Sequence, residues 1–203
     1  LHRNAEEISR RAGRRIVVTH GVVRDIGRLR ACHTDAFSMT TDPDVVTDHP
    51  DIDIVVELIG GIETSRDVVR RSLANGKHVV TANKALIAEH GNEIFELARD
   101  QGLTVAFEAA VAGGIPVIKV LREGLAGNRI NRVAGIINGT SNFILTDMLE
   151  NDVDFSKSLT KAQRLGYVES DPALDIEGTD AAHKLAILAS IAYGIPLKFD
   201  QVY

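Results

Sequence analysis

DIDIVVELIGGIETSRDVVRRSLANGKHVVTANKA, residues 51 to 85, decides the fold. Its opening, DIDIVVELIGG (51–61), is a continuous apolar run closed by two glycines, the pattern of a strand buried in a parallel sheet. ETSRDVVRRSLANG (63–76) has helical spacing and stops on Asn-Gly. KHVVTA (77–82) is a second short strand, and Lys84 opens the next helix. Strand, helix and strand joined by short links make a βαβ unit, whose strands run parallel.

The pattern extends both ways. KALIAEHGNEIFELARDQG (84–102) reads as a helix ending on Gly102, and LTVAFEAA (103–110) as a strand. Upstream, RIVVTHGVVR (15–24) is strand-like and residues 4–13 are a polar helix. Residues 15–110 therefore predict a partial Rossmann-type, doubly wound parallel sheet covered by helices on both faces. Beyond VAGGIP (111–116) the alternation stops. A helix over 115–127, a strand over INRVAGIIN (130–138) and a helix from the Thr140-Ser141-Asn142 cap region through 143–151 are expected. Then come a helix over 156–166, an irregular acidic segment over 167–178, and the helix GTDAAHKLAILASIAYGI (178–195). The boundary between an α/β part (1–111) and an α+β part (112–203) falls near Ala112.

Charge and cysteine usage exclude several classes. With 23 Lys and Arg against 28 Asp and Glu, the net charge of -5 argues against a nucleic-acid surface. The basic run RRAGRR (10–15) sits beside Glu6 and Glu7 and reads as a solvated helix face. One cysteine, Cys32, forms no intramolecular disulfide and fits a reducing, cytoplasmic setting. No apolar run approaches the roughly 20 residues of a membrane span, and no signal peptide is recognisable. A start at Leu1 and an abrupt end after GIPLKFDQVY lead us to expect a fragment.

A doubly wound sheet calls for G-x-G-x-x-G after its first strand. The chain has none, so that strand and its phosphate loop are expected upstream, which makes 15–24 the second strand. The end of that strand is where a Rossmann protein meets the adenosine ribose: Arg24 favours a 2′-phosphate and NADP, while Asp25 keeps NAD open. Gly60 and Gly61 lie where ligands bind, beyond the carboxyl end of a parallel strand. Lys84 sits at a helix N-terminus on the same edge, where the macrodipole disfavours a cation, so a ligand role explains it.

The last helix poses a sharper problem. On a helical wheel Asp180 and Lys184 share a face with Leu185, Ile187, Leu188 and Ile191. An exposed i,i+4 pair is worth roughly 0.3–0.5 kcal/mol. On an apolar stripe the same pair is costly to bury, and polar groups kept there are often functional. A structural pair whose lysine stem reaches outward is the competing reading. The acidic run Glu169, Asp171, Asp175, Glu177 leads into this helix with spacing unlike an EF-hand.

VVELIGG, TANKALIAEHG, FEAAVAGGIPVIK, GIINGTSNFILT, AQRLGYVESDP and DIEGTDAAHKLAILAS, in this order over residues 51–196, resemble homoserine dehydrogenase. That resemblance implies an oxidoreductase interconverting L-homoserine and L-aspartate 4-semialdehyde with NAD or NADP, on the route to threonine, methionine and isoleucine. It implies a dinucleotide-binding domain over 1–111 and a substrate-binding and dimerisation domain over 112–203, with a homodimer as the assembly. It makes Lys184 the acid/base at the substrate oxygen and Asp180 its neighbour. Glu169 and Asp175 become substrate carboxylates, and Lys84 the lysine near the nicotinamide and the reacting oxygen. Gly166 becomes a cofactor contact, beside Gly60, Gly61 and Arg24. A sodium site is implied at Glu108, Val111, Gly113 and Ile115, mostly through main-chain oxygens, as suits a hard cation. The rival readings are another NAD(P)-linked amino-acid or semialdehyde dehydrogenase, and a non-catalytic ligand-binding domain. A semialdehyde dehydrogenase forms a thioester on cysteine, and Cys32 lies far in sequence from these motifs.

Overall fold

The computed structural model describes residues 1–32, 34–168 and 173–203. Helix α1 (Ala5–Ala12) is an exposed, charged helix in which Glu7 pairs with Arg10 and Arg11 at 2.7 and 2.6 Å. Strand β1 (His20–Val22) pairs in parallel with β2 (Ser38–Thr40), and the short helix α2 (Asp44–Thr47) follows. The second ladder is the βαβ unit read from the sequence. It consists of β3 (Ile54–Glu57), α3 (Glu63–Ala74), β4 (His78–Thr81), α4 (Lys84–Asp100) and β5 (Val105–Ala106). Its order is β3-β4-β5, all parallel, with Glu57 opposite Thr81 and Val79 opposite Val105. This half is α/β and Rossmann-like.

Three expectations need correction here. The strand expected over 15–24 shortens to His20–Val22, because among the described residues only Ser38–Thr40 lies beside it to complete a ladder. The strand over 103–110 shortens to two residues before a 3-10 turn at Glu108–Ala110. The sheet is also not covered on both faces by described residues. Val55 and Val79 face α3 and α4 and are buried, while Ile54, Val56 and Val80 on the other face are 46%, 52% and 38% exposed.

The second half is helical among the described residues. Helix α5 (Val117–Lys119) runs on into a π turn at Val120–Gly124. After it come α6 (Gly139–Asn151), α7 (Phe155–Arg164), α8 (Ala173–Ile176) and α9 (Thr179–Tyr193). The strand expected over 130–138 does not form, since no described segment of this half lies alongside to supply a ladder. Helix α6 is capped by Asn138 rather than by the expected Thr140-Ser141-Asn142: the Asn138 side chain accepts from the Ser141 N–H at 2.7 Å.

One apolar core spans the expected boundary near Ala112. It joins Val69 and Leu73 of α3, Leu86, Ile87 and Ile94 of α4, and Ile187 and Leu188 of α9, with Leu197 behind. Burying an aliphatic side chain of this kind contributes about 1.5–3 kcal/mol, so this seam fixes α9 firmly on α4. A smaller cluster, Ile144, Ala162 and Val168, holds α6 against α7. Leu185, expected on the buried stripe of α9, is 42% exposed, and Ala186 is buried instead.

Candidate active site

The seam between α4 and α9 brings two distant charges together. Lys84, the first residue of α4, reaches Oδ1 of Asp180 at 2.9 Å. Lys184, one turn further along α9, donates to Oδ2 of Asp180 at 2.5 Å and to the Ile137 carbonyl at 2.8 Å. Asp180 is 7% exposed, and the Lys184 side chain 19%. Lys84 therefore sits at a positive helix end because a carboxylate from another helix faces it. Burial pushes the Asp180 carboxyl up, but hydrogen bonds from Lys184, Lys84 and Asn138 outweigh it and hold the group at about 2.

Asn138 ties this centre to the acidic segment. Its amide donates to Oδ1 of Asp175 at 2.8 Å and to Oδ2 of Asp180 at 3.0 Å, while its own oxygen caps α6. Thr140 donates to the Tyr167 carbonyl at 2.9 Å and Ser141 to the Asp175 carbonyl at 3.0 Å. The first turn of α6 thus pins both flanks of the acidic run. Glu169 and Asp171 lie outside the described residues. The cluster opens into a cleft of about 690 Å³, lined by Asn138, Phe143, Tyr167, Asp175, Asp180 and Lys184. At its far end Lys161 pairs closely with Asp147 and lies 5.7 Å over the Phe143 ring.

The other expected site residues make no hydrogen bond or ion pair to this cluster among the described residues. Gly60 and Gly61 follow β3 with φ of 77° and 75°, a conformation that favours glycine. Asn83 donates to the Gly61 carbonyl at 2.5 Å, linking their loop to the turn before Lys84. Gly166, with φ of 76°, ends α7. Arg24 is exposed, two residues past β1. Glu108 accepts from the Ile118 and Lys119 N–H groups at 2.8 and 3.0 Å, and Val111, Gly113 and Ile115 follow it on the turn before α5. Cys32 is exposed.

Sequence reasoning missed Asn138, the Ile137 carbonyl and His183. An asparagine before Gly-Thr is a cap signal, but the strand read over 130–138 hid it. His183 is buried between α4 and α9, 3.3 Å from Glu89 and stacked on Phe199 at 4.3 Å. Burial holds its imidazole below the ordinary value, against the opposing pull of Glu89.

Parallel strands joined by helices, with a lysine–carboxylate centre off their carboxyl edge, place this chain in the α/β, Rossmann-like class. The particular lineage is also established: the chain belongs to the homoserine dehydrogenase family. The model of the homoserine dehydrogenase NAD-binding domain matches residues 3–108, and the homoserine dehydrogenase model matches residues 116–203. A homoserine dehydrogenase of Pseudomonas aeruginosa is 61% identical over 203 residues, which is all of this chain and 46% of the relative. The chain therefore spans about half the length of the curated relatives it matches. A solved homoserine dehydrogenase of Thiobacillus denitrificans superposes with a TM-score of 0.94 at 59% identity, over 99% of this chain and 46% of that one. A hyperthermophilic archaeal homoserine dehydrogenase solved in complex with NADPH is 29% identical, with a TM-score of 0.72 over 98% of this chain and 59% of that one. No described helix is long and apolar enough to cross a membrane.

Proposed function

We propose that the protein containing this chain interconverts L-homoserine and L-aspartate 4-semialdehyde with NAD(P), in the branch leading to threonine, methionine and isoleucine. The observation that carries this reading is the Lys84–Asp180–Lys184 centre, of which Asp180 and Lys184 line the cleft, in a chain of this family. An ammonium has three hydrogens to donate. Lys184 uses two, on Asp180 and on the Ile137 carbonyl, and keeps one for a substrate oxygen.

The bound nicotinamide supplies the hydride that reduces the aldehyde carbon. Lys184 passes a proton to the alkoxide that forms and recovers it in the reverse direction. Lys84 and Lys184 together stabilise the developing negative charge on that oxygen. Asp180 holds both ammonium groups in place. Asp175, with Glu169, offers anions to the substrate ammonium. The residues that would hold a dinucleotide are Gly60 and Gly61 beyond the carboxyl end of β3, Lys84 at the start of α4, Gly166 at the end of α7, and Arg24 past the end of β1.

The turn after β5 suits a sodium ion. Its donors would be oxygens of Glu108, Val111, Gly113 and Ile115, largely main-chain, since both Glu108 carboxylate oxygens already accept from the Ile118 and Lys119 N–H groups. The positive φ values of Ala112 and Gly113 curl this turn. We divide the protein near Ala112 into a dinucleotide-binding part (1–111) and a substrate-binding part (112–203), and place it in the cytoplasm as a homodimer. The direct test is absorbance at 340 nm with the full-length protein, L-homoserine, and NADP or NAD in turn. Homoserine-dependent reduction supports the reading, and no signal with either nucleotide refutes it.

A further inference from the structure

Glu57, the last residue of β3, is 1% exposed, and no described lysine, arginine or histidine is in ion-pair contact with its carboxylate. A buried carboxylate without a cation is unfavourable unless hydrogen bonds satisfy it. Three neutral donors do so: the Ile59 N–H at 2.7 Å, Ser65 Oγ at 3.0 Å, and Thr81 Oγ1 at 2.6 Å. They come from the glycine loop after β3, from α3, and from the end of β4.

The network continues to the lysine. Thr81 Oγ1 accepts from the Asn83 N–H at 2.9 Å. Asn83 donates to the Gly61 carbonyl and accepts from the Leu86 N–H at 3.1 Å, capping the helix whose first residue is Lys84. Only a carboxylate accepts from all three donors at once. A glutamine amide turned toward Thr81 can donate to the second lone pair of the Thr81 oxygen, beside the Asn83 N–H, but it leaves the Thr81 hydroxyl hydrogen without its acceptor. Turned the other way, the amide faces the Ile59 N–H, which can only donate. Resting on the dehydrogenase reading above, we propose that Glu57 is a positioning residue that sets Lys84 through the Thr81–Asn83 turn.

The test follows Lys84 directly. Full-length wild type, Glu57→Gln and Thr81→Val are treated with limiting acetic anhydride. Acetylation of Lys84 is read by mass spectrometry against exposed Lys198. Glu57→Gln and Thr81→Val should acetylate Lys84 several-fold faster, as it leaves Asp180. In the same proteins kcat/KM for homoserine should fall roughly 10- to 100-fold, and adding Lys84→Ala should cost little more. Unchanged Lys84 acetylation in a folded Glu57→Gln protein overturns the proposal. If Glu57→Gln does not fold, Thr81→Val and Thr81→Ser decide it: fast acetylation in the first with recovery in the second supports the relay, and equal rates in both overturn it. A wild type that turns over no homoserine refutes the dehydrogenase reading alone, because the acetylation result still judges Glu57.

Discussion

The carboxyl edge of the β3–β5 sheet and the first turn of α9 each bury a carboxylate, but they satisfy it in opposite ways. Glu57 takes neutral donors from its own half of the chain, and every one of them is committed to backbone geometry. Asp180 takes two ammonium groups, one from each half, and an amide that it shares with Asp175. Neutral donors satisfy the Glu57 carboxylate and fix a loop, leaving its single negative charge buried. Two ammonium groups on Asp180 leave Lys184 an unused donor facing the cleft, which chemistry on a carbonyl oxygen can use. We read the first region as framework and propose the second as reactive, although the sequence places a single buried acid in each.

The largest effect that would break this contrast is at Lys184. In the full-length protein, Lys184→Ala should lower kcat for homoserine about 10²- to 10⁴-fold. Its thermal midpoint should move little, since Asp180 keeps Lys84 and Asn138 as partners. A turnover number near wild type would remove Lys184 from proton transfer and make the α9 pair as structural as Glu57.

The next effect is on stability. Asp180 is held at about 2 against an ordinary 3.8, a gap worth roughly 2 kcal/mol to the folded state. Because the folded value is the lower one, this contribution is complete above about pH 4 and is lost as pH falls toward 2. Urea titrations of wild type and Asp180→Asn should therefore differ most near neutrality, and the difference should shrink at about pH 3. A difference that stays constant would mean that shape, not charge, makes Asp180 useful.

Much of this contrast was legible in the sequence. The βαβ unit over 51–85 was readable because its period changes sharply from strand to helix and back, and local pattern suffices there. Asp180 and Lys184 stood out because their spacing put charges on an apolar stripe, and Lys84 because a cation opened a helix. What stayed hidden was long-range. Nothing local says that the start of α4 meets the start of α9, which follows only from the core shared by Ile87, Ile94 and Ile187. Asn138 was read as the end of a strand, since β-branched 130–138 fits a ladder whose partner the described residues do not supply. Leu185 was misjudged because α9 packs along Ala186, Ile187 and Leu188, and small alanines carry no signal of which side is buried.

A smaller effect tests whether α4 holds both carboxylates in register. A Cβ at Gly91 would lie 2.4 Å from Leu197 Cδ1 and 3.2 Å from the Phe95 ring. Leu197 cannot retreat freely, because Asn92 holds its backbone through two hydrogen bonds of 2.9 and 3.0 Å. Gly91→Val should destabilise by roughly 1–2 kcal/mol, measured by thermal or urea unfolding. A neutral result would show that the 197–199 segment yields and that α4 is positioned from its N-terminal turn alone.

The smallest effect concerns the nucleotide. Arg24 lies exposed beyond β1, and its neighbour Asp25 is already engaged, its carboxylate accepting from the Gly27 N–H at 2.8 Å. An aspartate spent on its own turn is less available to a ribose 2′-hydroxyl, whereas an exposed guanidinium remains available to a 2′-phosphate. The contrast between committed and uncommitted charge that separates Glu57 from Asp180 therefore recurs at this edge, and we propose that it favours NADP. Solvent screens an exposed arginine, so the effect is modest. Arg24→Ala should lower the ratio of kcat/KM for NADP to that for NAD roughly 3- to 10-fold, with turnover at saturating nucleotide unchanged. An unaltered ratio would shift nucleotide choice away from this strand end, and a ratio that moved toward NADP would assign Arg24 the opposite role.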